Sequence, residues 1–559
     1  MTSPATEASA ALLDALVALG VRDVVVSPGS RSQALALAAA ELERQGRIAL
    51  HVRIDERGAG FTALGIGRET RVPAAVICTS GTAVANLLPA ALEAHHAGVP
   101  MILLTADRPP ELRGVGANQA TRQPGIFGSA ARFAEDAATP DGHDGEAGEF
   151  RRLAARAFVA SAAESVQGVA HLNLPFREPL AGELPAWFRD GSASDTVAYA
   201  QTLIPDPPEP TVLERGPRTV VVAGADAGED AEIVAAQGAW PLLAEIVSGS
   251  RYGRHAVNGF RAALRDESLG GRIERVVVVG HPTLHREITA LLKRGDLDVV
   301  ALTATDEPLD LNGRTRAADA VAIAPGDADR AWMRAWSDWS HAHAVDLEPA
   351  APDSDGLASR DPKLRLAAVK AEMAAVRTPL DREQLVAGVW RATWPHDRLV
   401  FASSRLVRVA DDVLVGKKVP VHANRGLAGI DGTIATAIGI AAASQRGGRP
   451  GVTRVLIGDL ALLHDAGSLL LPPGETAPRI QLVVGNDGGG TIFDGLEVAS
   501  VAGADAMDRV QFTPHAVDIA QLAAAYGWQH IRATTRSELD VALTSPVAGP
   551  QIVEIPLAR

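Results

Sequence analysis

Three observations predict an α/β protein built from three successive open parallel sheets of the doubly wound kind. Short, almost continuously apolar segments recur along the chain, as in VRDVVVSPGS (21–30), PAAVICTSGT (73–82) and RVVVVGHPTLHR (275–286). Helix-length intervals with helical patterning separate them, as in SQALALAAAELERQG (32–46). That alternation marks parallel strands buried on both faces. Two polar, proline-bearing stretches, IPDPPEPTVLERGPR (204–218) and LEPAAPDSDGLASRDP (347–362), divide the chain into three blocks.

The first block, residues 1–185, places strands at 21–30, at RIALHVRIDE (47–56), at 73–82, at PMILLTADRP (100–109) and at GVAHLNLP (168–175). TAVANLLPAALEAHHAG (82–98) supplies another helical pattern, and it makes His95 and His96 structural histidines. The second block, 205–345, repeats the rhythm with TVVVAGADAG, RVVVVGHPTLHR, LDVVALTATD and AVAIAPGDA. The third, 375–559, contains DRLVFASSRLV, VPVHANRG, TRVLIGD, RIQLVVGND and PQIVEIPLA. At 559 residues the chain exceeds one core, which agrees with several units.

A formal net charge of -14 argues against nucleic acid or an anionic membrane as the main partner, since both demand a basic field. Small anions remain open to locally gathered arginines. The single cysteine, Cys78, allows no internal disulfide and reads as a buried strand-end residue. The amino-terminal segment MTSPATEASAALLDALVALG has no basic start and is interrupted by Asp14, and no apolar run reaches membrane-spanning length. These features predict a cytoplasmic location.

The chemistry is expected at strand ends, because open α/β sheets bind ligands outside the carboxyl ends of their strands. TRVLIGD ends on Gly458-Asp459 and RIQLVVGND on Gly485-Asn486-Asp487, with 26 residues between Asp459 and Asn486. Two strands joined by one crossover helix can lie side by side, so these two side chains can converge. A carboxylate, a neutral amide oxygen and the Gly488 carbonyl are hard donors suited to magnesium, with manganese equally possible. Amides near Gly458 and Leu460 can face an anion.

GDL, 24 residues and GN together resemble the diphosphate-binding motif of thiamine-diphosphate enzymes, in which Gly-Asp-Gly is followed at a similar interval by Asn-Asn. Leu460 and Gly485 depart from that motif, whereas the metal-bearing positions Asp459, Asn486 and Gly488 are kept. The resemblance implies thiamine diphosphate and magnesium, held by Gly458, Asp459, Leu460 and Asn486, with Ile430 of GLAGIDG supporting the bent cofactor. It also implies that Glu56, in RIALHVRIDERGAG, is the glutamate that addresses the cofactor's pyrimidine nitrogen. Such enzymes pair a pyrimidine-binding block (1–185) with a diphosphate block (375–559) across a subunit interface, so a homodimer or homotetramer is expected.

SPGSRS, LTADRPPELRGVGANQ, HLNLPFREPL and ANRGLAGIDG are similar to the menaquinone-pathway synthases that join 2-oxoglutarate to isochorismate. Both substrates are dicarboxylates, which explains why an acidic protein would gather guanidinium groups. By this resemblance Ser30, Arg31, Arg108, Gln119, Arg286, Ser404, Arg408 and Arg425 bind substrate, and Ile492 and Phe493 form an apolar wall. Two alternatives stay open: another thiamine-dependent carboligase such as an acetohydroxyacid synthase, and a noncatalytic metabolite-sensing α/β protein.

Overall fold

The computed structural model describes residues 2–162, 166–190, 201, 209–302, 305, 307, 309–347 and 351–559. Residues 204–208 of the first proline-rich stretch and 348–350 of the second lie outside the described residues. Three parallel sheets follow one another along the chain. The first contains β1 (Asp23–Val26), β2 (Ala49–Val52), β3 (Ala74–Cys78), β4 (Met101–Asp107), β5 (Ala131–Asp136) and β6 (Val169–Pro175), in the order β2-β1-β3-β4-β6-β5.

A short pair, β7 (Thr211–Leu213) and β13 (Val321–Ile323), flanks the central sheet. That sheet contains β8 (Thr219–Ala223), β9 (Leu242–Ala244), β10 (Arg275–Val279), β11 (Asp298–Leu302) and β12 (Arg316–Ala317), ordered β12-β11-β10-β8-β9. AVAIAPGDA therefore supplies β13 of the small pair rather than a strand of the central sheet.

The third sheet contains β14 (Arg398–Phe401), β15 (Val421–Ala423), β16 (Thr453–Gly458), β17 (Ile480–Asn486), β18 (Gln529–Arg532) and β19 (Gln551–Pro556). Its order is β15-β14-β16-β17-β19-β18. Strands such as DVVV, AAVIC and RVVVV are buried along their whole length, as expected where helices cover both faces of a sheet. The 82–98 segment forms two helices, Thr82–Asn86 and Leu88–Ala97, the second with proline in its first turn.

The first and third sheets meet through the helices Glu56–Thr70 and Thr433–Ser444. These helices cross at glycine. A Cβ on Gly65 would lie 2.0 Å from the Thr436 carbonyl oxygen, and one on Gly439 would lie 2.1 Å from that of Thr62. Charge reinforces the joint: Arg398 donates to both oxygens of Glu69, at 2.9 Å from Nε, and Arg53 donates to Glu475 at 2.9 Å. Among the described residues no helix is long and apolar enough to cross a membrane.

Candidate active site

Four adjacent strand ends of the third sheet form a row. In sheet order, β15 leads to Arg425, β14 to Ser403 and Ser404, β16 to Asp459, and β17 ends on Asn486. The register pairs Gly458 with Gly485, which sets the two metal-site candidates side by side as the spacing predicts. Asp459 opens the helix Asp459–His464 and is 2% exposed. Its Oδ1 accepts the Leu460 amide at 2.6 Å and its Oδ2 accepts the Gly489 amide at 2.9 Å. The Leu460 N–H thus turns to its neighbour's carboxylate.

Asn486 Nδ2 donates to Glu554 Oε1 at 2.8 Å, leaving Oδ1 with the Gly488 amide at 3.2 Å. His515 Nε2 lies 3.2 Å from Asp459 Oδ2, and Asp487 is held by Arg382 at 2.6 Å. Burial, and then the charge of Asp487, push the Asp459 carboxyl up from its ordinary value. Buried negative charge beside free oxygen lone pairs is a donor set that a hard divalent cation fits.

Ser404 caps the Arg405–Val413 helix by accepting the Leu406 amide at 3.2 Å. One turn on, half-buried Arg408 donates to the Ser404 carbonyl at 3.3 Å. Burial alone lowers its pKa, and no carboxylate offsets it. Arg425 is 4% exposed; burial lowers its pKa, Glu245 counteracts, and the charge of Arg408 lowers it further. The charge of Arg408 bearing on buried Arg425 makes this corner electropositive, a setting that suits an anion.

The first sheet repeats the pattern at the ends of β2, β1, β3 and β4. Glu56 begins its helix just after the N-cap Asp55, which accepts the Arg57 amide at 2.9 Å. The half-buried Glu56 carboxyl makes no hydrogen bond or ion pair among the described residues. Its neighbour Arg57 donates to the His464 carbonyl at 3.1 Å, the carboxyl end of the helix that Asp459 begins. Cys78 is buried at the end of β3, and burial and then the Glu56 charge push its thiol up.

Ser30 is exposed beyond β1. Arg31, next to it, donates to the Phe176 carbonyl at 3.1 Å; burial and then Arg108 lower its pKa. Arg108 donates to Ser80 Oγ, and Gln119, in a left-handed conformation with φ 54°, donates to the Ser80 carbonyl at 2.9 Å. Arg31, Arg108 and Gln119 are therefore gathered around the ends of β1, β3 and β4. Arg286 is exposed and pairs at 2.7 Å with Glu497, just beyond the Thr491–Gly495 turn that carries Ile492 and Phe493. Ile492 and Phe493 sit half-buried in the turn after β17, and Ile430 is 37% exposed in the loop after β15.

Sequence reasoning missed Ser80, Thr283, Ser403, Asp487 and His515. Ser403 and Asp487 adjoin named residues, so strand-end position could have found them. Thr283 and His515 are brought in from distant segments and carry no local signal.

Residues 6–126 match the family described as thiamine pyrophosphate enzyme, N-terminal TPP binding domain. The backbone resembles the crystal structure of benzoylformate decarboxylase from Polynucleobacter necessarius, with a TM-score of 0.66 at 14% identity over 99% of this chain and 98% of that one. That likeness speaks for the fold alone. Fold, site and domain match together define a thiamine-diphosphate-dependent enzyme.

Full-length relatives narrow the class. The chain is 52% identical to 2-succinyl-5-enolpyruvyl-6-hydroxy-3-cyclohexene-1-carboxylate synthase of Leifsonia xyli subsp. xyli (strain CTCB07), over 100% of this chain and 97% of that one. It is 51% identical to the synthase of the same name from Clavibacter michiganensis subsp. michiganensis (strain NCPPB 382), with the same coverage. Against that of Kineococcus radiotolerans (strain ATCC BAA-149 / DSM 14245 / SRS30216) it is 42% identical over 100% and 96%. The chain belongs to the 2-succinyl-5-enolpyruvyl-6-hydroxy-3-cyclohexene-1-carboxylate synthase family.

Proposed function

We infer that this chain decarboxylates 2-oxoglutarate and adds the remaining four-carbon unit to isochorismate, forming 2-succinyl-5-enolpyruvyl-6-hydroxy-3-cyclohexene-1-carboxylate for menaquinone biosynthesis. The observation that carries this reading is the row of strand ends holding Arg425, Ser404, Asp459 and Asn486 in one line, in a member of that synthase family. Thiamine diphosphate, when bound, supplies the carbon nucleophile and the electron sink for decarboxylation.

The protein's own groups orient and shield. Asp459, Asn486 and the Gly488 carbonyl would hold magnesium, or manganese, at the diphosphate end, where Gly458 and Leu460 would contribute backbone. Glu56 would hold the proton shared with the pyrimidine ring nitrogen, and Ile430 would brace the cofactor. Arg31 with Arg108 and Gln119 on one side, and Arg408 with Arg425 on the other, bind the carboxylates of two dianionic substrates bidentately. Ser30, Ser404 and Arg286 add polar contacts, while Ile492 and Phe493 exclude water from the reacting carbon.

Residues 1–185 act as the pyrimidine-binding unit, 205–345 as a central unit and 375–559 as the diphosphate unit. Within one chain Arg57 reaches the carboxyl end of the Asp459 helix. By analogy with the pairing of pyrimidine and diphosphate units in this enzyme class, we place Glu56 against Asp459 of a second copy, in a dimer or tetramer working in the cytoplasm. The test is carbon dioxide release from 2-oxoglutarate. Release that requires isochorismate, thiamine diphosphate and magnesium together is the expected result, and release without isochorismate would overturn the reading.

A further inference from the structure

The central sheet touches the site chiefly through buried loops. The segments that follow β9 and β10 close over the Arg405–Val413 helix and over the end of β15. Asp411, buried about two turns beyond Ser404, accepts Arg251 Nη2 at 2.6 Å, the Ile246 amide and His285 Nε2. Arg251 also donates from Nη1 to the carbonyls of Asp411 at 2.8 Å and Leu414 at 3.0 Å, so a central-sheet cation closes the last turn of that helix. Glu245, fully buried, accepts the amides of Thr283 at 3.1 Å and Leu284 at 2.8 Å, which pins the second loop.

That pinned loop grips Arg425. Thr283 accepts Arg425 Nε on its hydroxyl at 2.9 Å and Arg425 Nη2 on its carbonyl at 3.0 Å, while Nη1 donates to Ser403 Oγ at 3.1 Å. A guanidinium has five N–H bonds. Three are used here, which leaves one on each terminal nitrogen, the pair that a bidentate carboxylate requires.

We propose that Thr283 is a positioning residue for substrate binding, and that the central sheet is the platform from which it aims the Arg425 fork at a substrate carboxylate. The proposal rests on the reading that Arg425 binds substrate. Its physical basis is preorganisation: the long arginine side chain is ordered before the anion arrives, so binding does not bear that entropy.

Thr283→Val keeps the shape and the carbonyl but removes the hydroxyl acceptor; Thr283→Ser restores it. In the full-length enzyme, Thr283→Val is expected to raise KM for one of the two dicarboxylates by about tenfold, the worth of one charge-assisted hydrogen bond. Turnover and thiamine diphosphate affinity are expected to stay within about twofold, and Thr283→Ser to behave as the parent. Arg425→Gln should raise the same KM further. If Arg425→Gln moves neither KM, the substrate reading falls and the proposal with it. If Arg425→Gln raises KM but Thr283→Val does not, the positioning role alone is overturned. That role is equally overturned if Thr283→Val lowers turnover, cofactor affinity and melting temperature together.

Discussion

The first and third sheets share one topology, since β2-β1-β3-β4-β6-β5 and β15-β14-β16-β17-β19-β18 are the same order counted from the start of each unit. Both place polar residues at the ends of the same four neighbouring strands. The contents differ. The first row offers the Glu56 carboxyl, without a hydrogen bond or ion pair among the described residues, together with Arg31 and Arg108; the third offers the heavily bonded Asp459 and Asn486 together with Arg408 and Arg425. One topology thus presents two settings for a carboxylate, one fixed by backbone amides and one left without such bonds among the described residues.

The contrast is sharpest for the two carboxylates. Glu56→Gln should lower turnover by about a hundredfold or more, with melting temperature unchanged because no internal bond is lost. Asp459→Asn should instead weaken cofactor binding by about ten- to a hundredfold in a magnesium-dependent way, seen in titrations of both ligands. Should the two variants show the same phenotype, the division of labour between the sheets is wrong.

The arginine pairs come next. Arg31→Met and Arg408→Met should each raise KM for a dicarboxylate by about tenfold or more. If the pairs serve different substrates, the two variants will affect different KM values; if both move the same one, the rows converge on a single ligand.

Smaller effects are expected at the joint between the sheets. Gly65→Ala places a methyl against the Thr436 carbonyl and should destabilise by about 2 kcal/mol, read as a lower melting temperature. An exposed glycine such as Gly295, with open space around it, should tolerate the same change.

The joint is also acid-sensitive. Burial raises the Glu69 pKa, but hydrogen bonds and charge from His422 and Arg398 outweigh burial and hold it at about 2, against an ordinary 4.5. Its stabilising contribution is complete above the unfolded value and is lost as pH falls from about 4.5 toward 2. Glu69→Gln should therefore melt lower than the parent at pH 6, with the gap narrowing as pH drops through that window. A constant gap would exclude the linkage.

Much of this architecture was legible because burial on both faces writes itself into strands as unbroken valine, isoleucine and alanine runs. β5 and β18 escaped notice for the converse reason: ARFAED and QHIR are edge strands whose residues are partly or wholly exposed. Pairing against β6 and β19, not composition, makes them strands. Likewise the proline of LLPAAL starts a second helix, because a first-turn position does not need its missing N–H.

By itself the amino-acid sequence determined the three parallel sheets, the strand-end positions of Asp459 and Asn486 and the helix start at Glu56, since hydrophobic periodicity and turn chemistry act over a few neighbouring residues. Only the tertiary structure decided that Gly458 pairs with Gly485, that Arg408 lies close enough to Arg425 to repel it, and that Thr283 holds the latter. Those relations join residues up to 142 positions apart. They depend on strand order and side-chain direction, which local patterning does not encode.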